Sequence, residues 1–263
     1  MKLSYHLACV LLLGTSGCVV EAMDDELAAE LAVGHEDTTE DTGTASEELQ
    51  STGEVGLAQG QPVVGLGPTS DRVCFLTGIK GNFAGLTERV RVYTSGGSWY
   101  LDVDSAQTGV GAWASCAYAA AGTYTGEYTW DSAVDNYPKH MGTATGRVCF
   151  LTRIQGGFNN GSEWVHLYVS GGDWYMTGKT GGPALRAGAR CVSVPSYSGE
   201  VSWGTDDLAQ YVGSTKGYSC GLTRIIGSLD SGADKIHCDR ITDSWYLTGQ
   251  ATTGNLGVRA RLF

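Results

Sequence analysis

The chain has 263 residues, of which 39 are glycine and eight are cysteine, and a formal net charge of −11 at pH 7. Residues 1–56 hold twelve of the 28 Asp and Glu but only one (Lys2) of the 17 Lys and Arg, so 57–263 balances sixteen acids against sixteen bases. A near-neutral body with no basic stripe argues against nucleic acid as a partner, and the acidic total is no argument for a cationic one.

Residues 1–22 read as an export signal. Lys2 precedes the apolar run Leu7–Leu13, which is too short to span a bilayer as a helix. Thr15-Ser16-Gly17-Cys18 resembles a bacterial lipobox, with Thr15 where Leu or a similar residue is usual. The resemblance implies that Cys18 is lipidated as the mature N-terminus. Val19 in place of Asp implies sorting to the outer membrane. Under this reading Cys9 leaves with the signal. The alternative is cleavage after Ala22, which makes the protein freely secreted. Residues 23–50 read as an acidic disordered tether. From Glu21 to Glu54 there is no Lys, Arg, Trp, Tyr or Phe, so the segment cannot bury enough apolar surface to offset the entropy of ordering.

Residues 51–263 repeat one unit three times, over about 51–124, 125–197 and 198–263. Thr52-Gly53-Glu54, Thr125-Gly126-Glu127 and Ser198-Gly199-Glu200 open the copies. Then come Cys74-Phe75-Leu76-Thr77, Cys149-Phe150-Leu151-Thr152 and Cys220-Gly221-Leu222-Thr223. Each is followed by a glycine-rich bend, an alternating run (Glu88–Tyr93, Glu163–Tyr168, Asp234–Asp239), and Trp99-Tyr100, Trp174-Tyr175 or Trp245-Tyr246. The first two copies close on Cys116 and Cys191, whereas the third ends the chain at Leu262-Phe263. Fixed-period self-similarity decides architecture first. The segments are short, alternating and rich in Val, Tyr, Trp and Thr between Gly bends, and so predict strands. Four or five strands per unit predict an all-β fold: three tandem antiparallel meanders of about 70 residues with pseudo-threefold arrangement, β-prism-like or like an enlarged β-trefoil.

Cys74 to Cys116 and Cys149 to Cys191 are each separated by 42 positions, which predicts those two disulfides in an oxidising compartment. Cys220 has lost its distant partner and gained Cys238, at the position of Leu167, which predicts Cys220–Cys238. Each bridge, if unstrained, is worth about 3–4 kcal/mol. No spacing predicts a metal site or a cofactor.

Alternation along a strand separates the faces. Val90, Val92, Val165, Leu167, Ile236 and Cys238 share the core side, and Trp99, Trp174 and Trp245 pack there with them. Arg91, Tyr93, His166, Tyr168, His237 and Asp239 lie opposite, with Tyr100, Tyr175 and Tyr246. With the carboxylates Glu88, Glu163 and Asp234 nearby, this face is a candidate saccharide surface: aromatic rings pack on a pyranose and polar groups take its hydroxyls. No catalytic residues are assigned, since no nucleophile, metalloprotease or phosphate-loop motif occurs. Glu54, Glu127 and Glu200 supply carboxylates for a glycoside hydrolase, but their shared Thr/Ser-Gly setting is better explained by a turn.

The combination of Cys-Phe-Leu-Thr, Ser-Gly-Gly-x-Trp-Tyr and Ala-x-Cys resembles a repeat in exported proteins of myxobacteria and related soil bacteria. It spans about 72–263, and the third copy departs at Gly221, Cys238 and Phe263. The resemblance implies export from a bacterial cell and carries no site residues. The expected function is an exported, lipid-anchored surface binding protein, lectin-like or adhesive, with a surface glycan or protein as ligand and membrane contact only through the anchor. The alternatives are a structural envelope or coat component and a secreted glycoside hydrolase.

Overall fold

The computed structural model describes residues 53–182 and 184–263. The export signal, Cys18 and the tether lie outside the described residues. The first unit forms β1 (Val55–Ala58), β2 (Val64–Pro68), β3 (Arg72–Lys80), β4 (Arg89–Ser95), β5 (Ser98–Asp104) and β6 (Gly111–Tyr118). The second forms β7 (Tyr128–Asp131), β8 (Lys139–Thr143), β9 (Arg147–Gly156), β10 (Trp164–Ser170), β11 (Asp173–Lys179) and β12 (Leu185–Ser193). The third forms β13 (Val201–Gly204), β14 (Gln210–Ser214), β15 (Cys220–Gly227), β16 (Lys235–Ile241), β17 (Ser244–Gln250) and β18 (Leu256–Leu262). There is no helix among the described residues.

The fold is all-β, threefold-repeated and stapled by disulfides, as the sequence predicts. Each unit has six strands rather than four or five, and it is not one meander. Its first, sixth and third strands enter one sheet, and its fourth, fifth and second enter another. Sheet I runs β1-β6-β3-β16-β17-β14, sheet II β13-β18-β15-β10-β11-β8, and sheet III β2-β5-β4-β9-β12-β7. Every sheet is therefore half one unit and half the next. The seams between units are short antiparallel pairings, β3 with β16, β10 with β15, and β4 with β9.

The loop after each third strand carries the chain between sheets. At its tip the backbone closes a ring: Phe83 N–H donates to Leu229 C=O, Leu229 N–H to Phe158 C=O, and Phe158 N–H to Phe83 C=O, each at 2.7 Å. A second ring surrounds it. Gly81, Gly156 and Gly227 donate to the carbonyls of Asp234, Glu88 and Glu163 at 2.8, 3.0 and 2.8 Å. These glycines have φ of +108°, +106° and +105°. A Cβ there would collide with the backbone of Val110, Ala184 or Asn255, so no other residue serves.

Along the same axis Phe75, Phe150 and Phe263 meet as a triad, with ring centroids 4.1–5.2 Å apart. Copy three lacks the phenylalanine of its third strand. Gly221 leaves room there, since a Cβ on it would run into the Phe150 ring, and the C-terminal Phe263 fills the place. The tryptophans predicted for the core are there: Trp99, Trp174 and Trp245 are buried, and their indole N–H groups donate to Arg72, Arg147 and Tyr218 carbonyls at 2.9–3.0 Å. That satisfies the one polar atom a buried tryptophan carries.

Disulfides join Cys74–Cys116, Cys149–Cys191 and Cys220–Cys238. The first two clip neighbouring strands within a sheet. The third ties β15 in sheet II to β16 in sheet I, because Leu262 occupies the place opposite Cys220. Truncating the shared ring cluster by Phe263→Ala is expected to destabilise the protein by about 3–5 kcal/mol, the usual cost of emptying a buried aromatic site. Chemical denaturation measures this, and a cost below about 1 kcal/mol would show that the triad is not a shared core.

Candidate functional site

The outward sides of the three sheets carry the candidate tyrosines, with Arg91 and His166, whereas His237 is buried. In sheet III, Tyr93 and Tyr100 are directly opposed across β4 and β5, with rings stacked at 5.6 Å. The Arg91 guanidinium lies 4.2 Å from the Tyr93 ring centre. In sheet II, Tyr168 and Tyr175 repeat the stack at 5.7 Å, and His166 lies 5.5 Å from Tyr168. Sheet I breaks the pattern. Asp239 stands opposite Tyr246, which instead meets Tyr211 edge-on at 5.7 Å. Two faces therefore carry a nitrogen-bearing side chain, Arg91 or His166, beside a tyrosine pair, and all five tyrosines of β4, β5, β10, β11 and β17 are half-buried.

Two further rings, His140 and Tyr211, join these faces without a signal in the sequence. Both sit on the edge strands β8 and β14, opposite Tyr175 and Tyr246. His140 is 5.3 Å from the Tyr175 ring and 3.3 Å from Asp173. These edge strands are short and glycine-bearing, and so give no alternation by which a face can be assigned.

Glu88, Glu163 and Asp234 do not belong to the outer faces. They are at most 1% exposed and anchor the axial loops. Glu88 accepts from Gly85 N–H at 2.7 Å and the Thr87 hydroxyl at 2.9 Å. Glu163 accepts from the N–H groups of Asn159 and Asn160. Asp234 accepts from the N–H groups of Asp230, Ser231 and Thr252 and from the Thr252 hydroxyl. A buried carboxylate needs such donors, and its oxygens are then occupied and shielded from a ligand. The carboxylates near the outer faces are others.

Those others are Glu54, Glu127 and Glu200. Each accepts from a threonine hydroxyl on the third strand of its own unit: Thr77, Thr152 (2.8 Å) and Thr223 (2.6 Å). The threonines sit at three equivalent β-bulges and are fully buried. A bulge re-aims one side chain out of the pleat, and here it aims the hydroxyl at the carboxylate. The sequence signal was the recurrence of Thr/Ser-Gly-Glu together with Leu-Thr 23 to 25 residues later.

Two of these carboxylates, Glu54 and Glu200, also meet basic side chains. Glu54 is 2.9 Å from His237 Nε2, while His237 Nδ1 is 2.5 Å from Asp239. The Trp113 ring lies tilted against that imidazole, with centroids 4.5 Å apart. Burial disfavours the imidazolium, but its bonds to Asp239 and Glu54 overcome this and raise the His237 pKa to about 9. Both ring nitrogens are engaged, so His237 has none left to act as a general base. In sheet II, Glu200 meets Arg259 Nη1 at 3.0 Å and His166 Nε2 at 3.6 Å. Burial alone would raise the Glu200 pKa; the His166 contact, the Thr223 hydroxyl and Arg259 together hold it at about 2. At 3.6 Å the His166 contact is longer than a hydrogen bond. In sheet III, Arg91 turns to Asp102 at 2.9 Å, and Arg89 bridges Asp102 and Asp104. Arg153 stands opposite Arg91 across the seam, and burial lowers its pKa.

Compared with models of known protein families and with curated proteins, the chain finds no match.

The His237 ion pairs predict a pH signature. The folded pKa of about 9 lies above the ordinary 6.5, so the stabilisation is fully present below about pH 6.5 and is lost as pH rises through about 9. Denaturation midpoints of wild type and His237→Gln should therefore converge between these values. A gap that stays constant from pH 6 to 10 would contradict the charged pair.

Proposed function

We propose that this protein is an exported surface binding protein, anchored to the outer membrane by lipid at Cys18, that holds saccharides on the outer faces of sheets II and III. The observation that carries the reading is the recurrence of one constellation on two separate sheets. Tyr168 and Tyr175 with His166, and Tyr93 and Tyr100 with Arg91, each offer stacked half-exposed rings beside a hydrogen-bonding nitrogen side chain. An aromatic ledge with adjacent hydrogen-bonding groups suits a pyranose, whose one side is C–H and whose rim is hydroxyl. Such shallow sites bind weakly one at a time. Two of them on one body gain avidity toward a polymer or a cell surface.

A glycan array probed with the full-length protein tests this. Selective binding is expected, with Tyr100→Ala and Tyr175→Ala each weakening it and the double variant losing more than either on multivalent glycans. A blank array from a folded protein would overturn the saccharide reading. A second reading, a protein ligand, is favoured by Val134, Tyr137 and Leu208. These residues are 71%, 83% and 87% exposed on the loops between β7 and β8 and between β13 and β14. Binding that is lost in Tyr137→Ser but kept in both tyrosine-pair variants would favour that partner.

A further inference from the structure

The threefold repeat makes three equivalent positions beside the axial loops, and they have diverged. In sheet I, Gly111 faces Lys80 across β6 and β3. The lysine stem lies over it, with Cε 2.8 Å from where a Cβ would stand. In sheet III the same place holds Arg186, opposite Gln155 and ion-paired with Asp131 at 2.5 Å. Only a hollow of about 90 Å³ remains there, between Arg186, Gln155, Leu86 and Ala184. In sheet II the pair is Gly257 and Ile226. With neither a long cation nor an amide across it, the place opens into a groove of about 470 Å³. That is within the roughly 300–1,000 Å³ of small-molecule sites.

The groove is built. One wall is the turn after β13, closed by a backbone bond from Asp207 N–H to Gly204 C=O at 2.9 Å and held by further bonds from side chains. The Thr205 hydroxyl donates to Leu256 C=O (3.0 Å) and accepts from Leu256 N–H (2.7 Å). Asp207 accepts Gly204 N–H on its carboxylate at 2.8 Å and the Trp203 indole N–H on its carbonyl at 3.0 Å. The floor is Gly257, where a Cβ would come within 3.0 Å of Ile226 Cγ2. The other wall is Arg224 and Arg259, directly opposed across β15 and β18. Like charges so placed repel. Glu200 neutralises Arg259 at 3.0 Å, whereas Arg224 makes no hydrogen bond or ion pair among the described residues. Its Nε is buried without a partner. Burial lowers its pKa, and the Arg259 charge acts in the same direction against a smaller opposing pull from Glu200. Across the groove the Asp206 carboxylate is likewise without a partner among the described residues.

We propose that this groove, which among the described residues is open in the third copy, is a binding site for an acidic saccharide residue whose carboxylate pairs with Arg224 and whose hydroxyls donate to Asp206. The Arg224 guanidinium lies 6.0 Å from the Trp164 ring centre but holds no carboxylate, so it can take one from a ligand, and an unpaired carboxylate opposite matches the hydroxyls of the same ring. The saccharide half of the proposal rests on the reading given above. The anion half rests on Arg224 alone.

The test titrates the full-length protein calorimetrically with trimers of galacturonate, glucuronate and mannuronate. Neutral galactotriose and the non-sugar tricarballylate serve as controls. At least one uronate trimer is expected to bind, more weakly at high salt, and galactotriose is not. Arg224→Gln, verified as folded by its denaturation midpoint, should weaken uronate binding by at least roughly tenfold, as loss of a charged hydrogen bond implies. Gly257→Arg, which fills the groove as Arg186 does in the second copy, should abolish it. The groove proposal fails if no uronate trimer binds, if galactotriose binds as well as the uronates, or if Arg224→Gln binds normally. Such a result together with intact binding on the glycan array would leave the tyrosine faces standing. If tricarballylate binds as tightly as the uronates and depends equally on Arg224, the site takes anions and not acidic sugars, and the saccharide half falls.

Discussion

The ring of backbone hydrogen bonds among Phe83, Phe158 and Leu229 is the constraint from which the rest of the domain follows. Three loops can satisfy one another head to tail only if all three are present. Each loop is also the place where its unit leaves one sheet for the next. A unit alone would have three strands facing one way and three another, with both sets ending in an unpaired edge. Closing the ring brings the third strand of each unit against the fourth strand of its neighbour. Glycines at 81, 156 and 227 are the requirement this imposes on the sequence, since each holds a backbone angle that an L side chain resists and touches a neighbouring chain segment.

Once the closure is fixed, the interior has little freedom and the exterior has a great deal. The third copy shows how the interior absorbs change. It lost a phenylalanine to Gly221 and a cysteine to Leu262, and recovered both functions elsewhere, the ring through Phe263 and the bridge through Cys238. On the outside no such restoration occurs. The seam opposite the bulged threonine reads Gly78–His237 in sheet I, Arg224–His166 in sheet II and Arg153–Arg91 in sheet III. Three copies of one scaffold thus present three chemically distinct surfaces. The tyrosine pairs are common to two of them, and the open groove beside Gly257 belongs to one.

Much of this was legible in the sequence wherever the information is local. The repeat, the three cysteine pairs, the inward tryptophans and the outward Tyr93, Tyr100, Tyr168, Tyr175 and Tyr246 all follow from spacing and alternation. The division of each unit between two sheets does not. Alternation says which side of a strand is buried but not which strand lies beside it, and the seams join residues of different units. Two strands per unit are four or five residues long and glycine-bearing, such as Val64–Pro68, too short to show a period. Glu88, Glu163 and Asp234 were misplaced because their position at the start of an alternating run hides the loop that folds back onto them. Glu54, Glu127 and Glu200 were read as turn residues because their threonine partners lie more than twenty positions away at bulges, where alternation fails.

The most direct test of cyclic closure is native-state hydrogen exchange at the Phe83, Phe158 and Leu229 amides. If the ring holds three interdependent units together, all three should exchange only through global unfolding, with the same free energy as the denaturation transition. Independent units would instead show separate values, with the Leu229 amide of the divergent third copy released well before the other two.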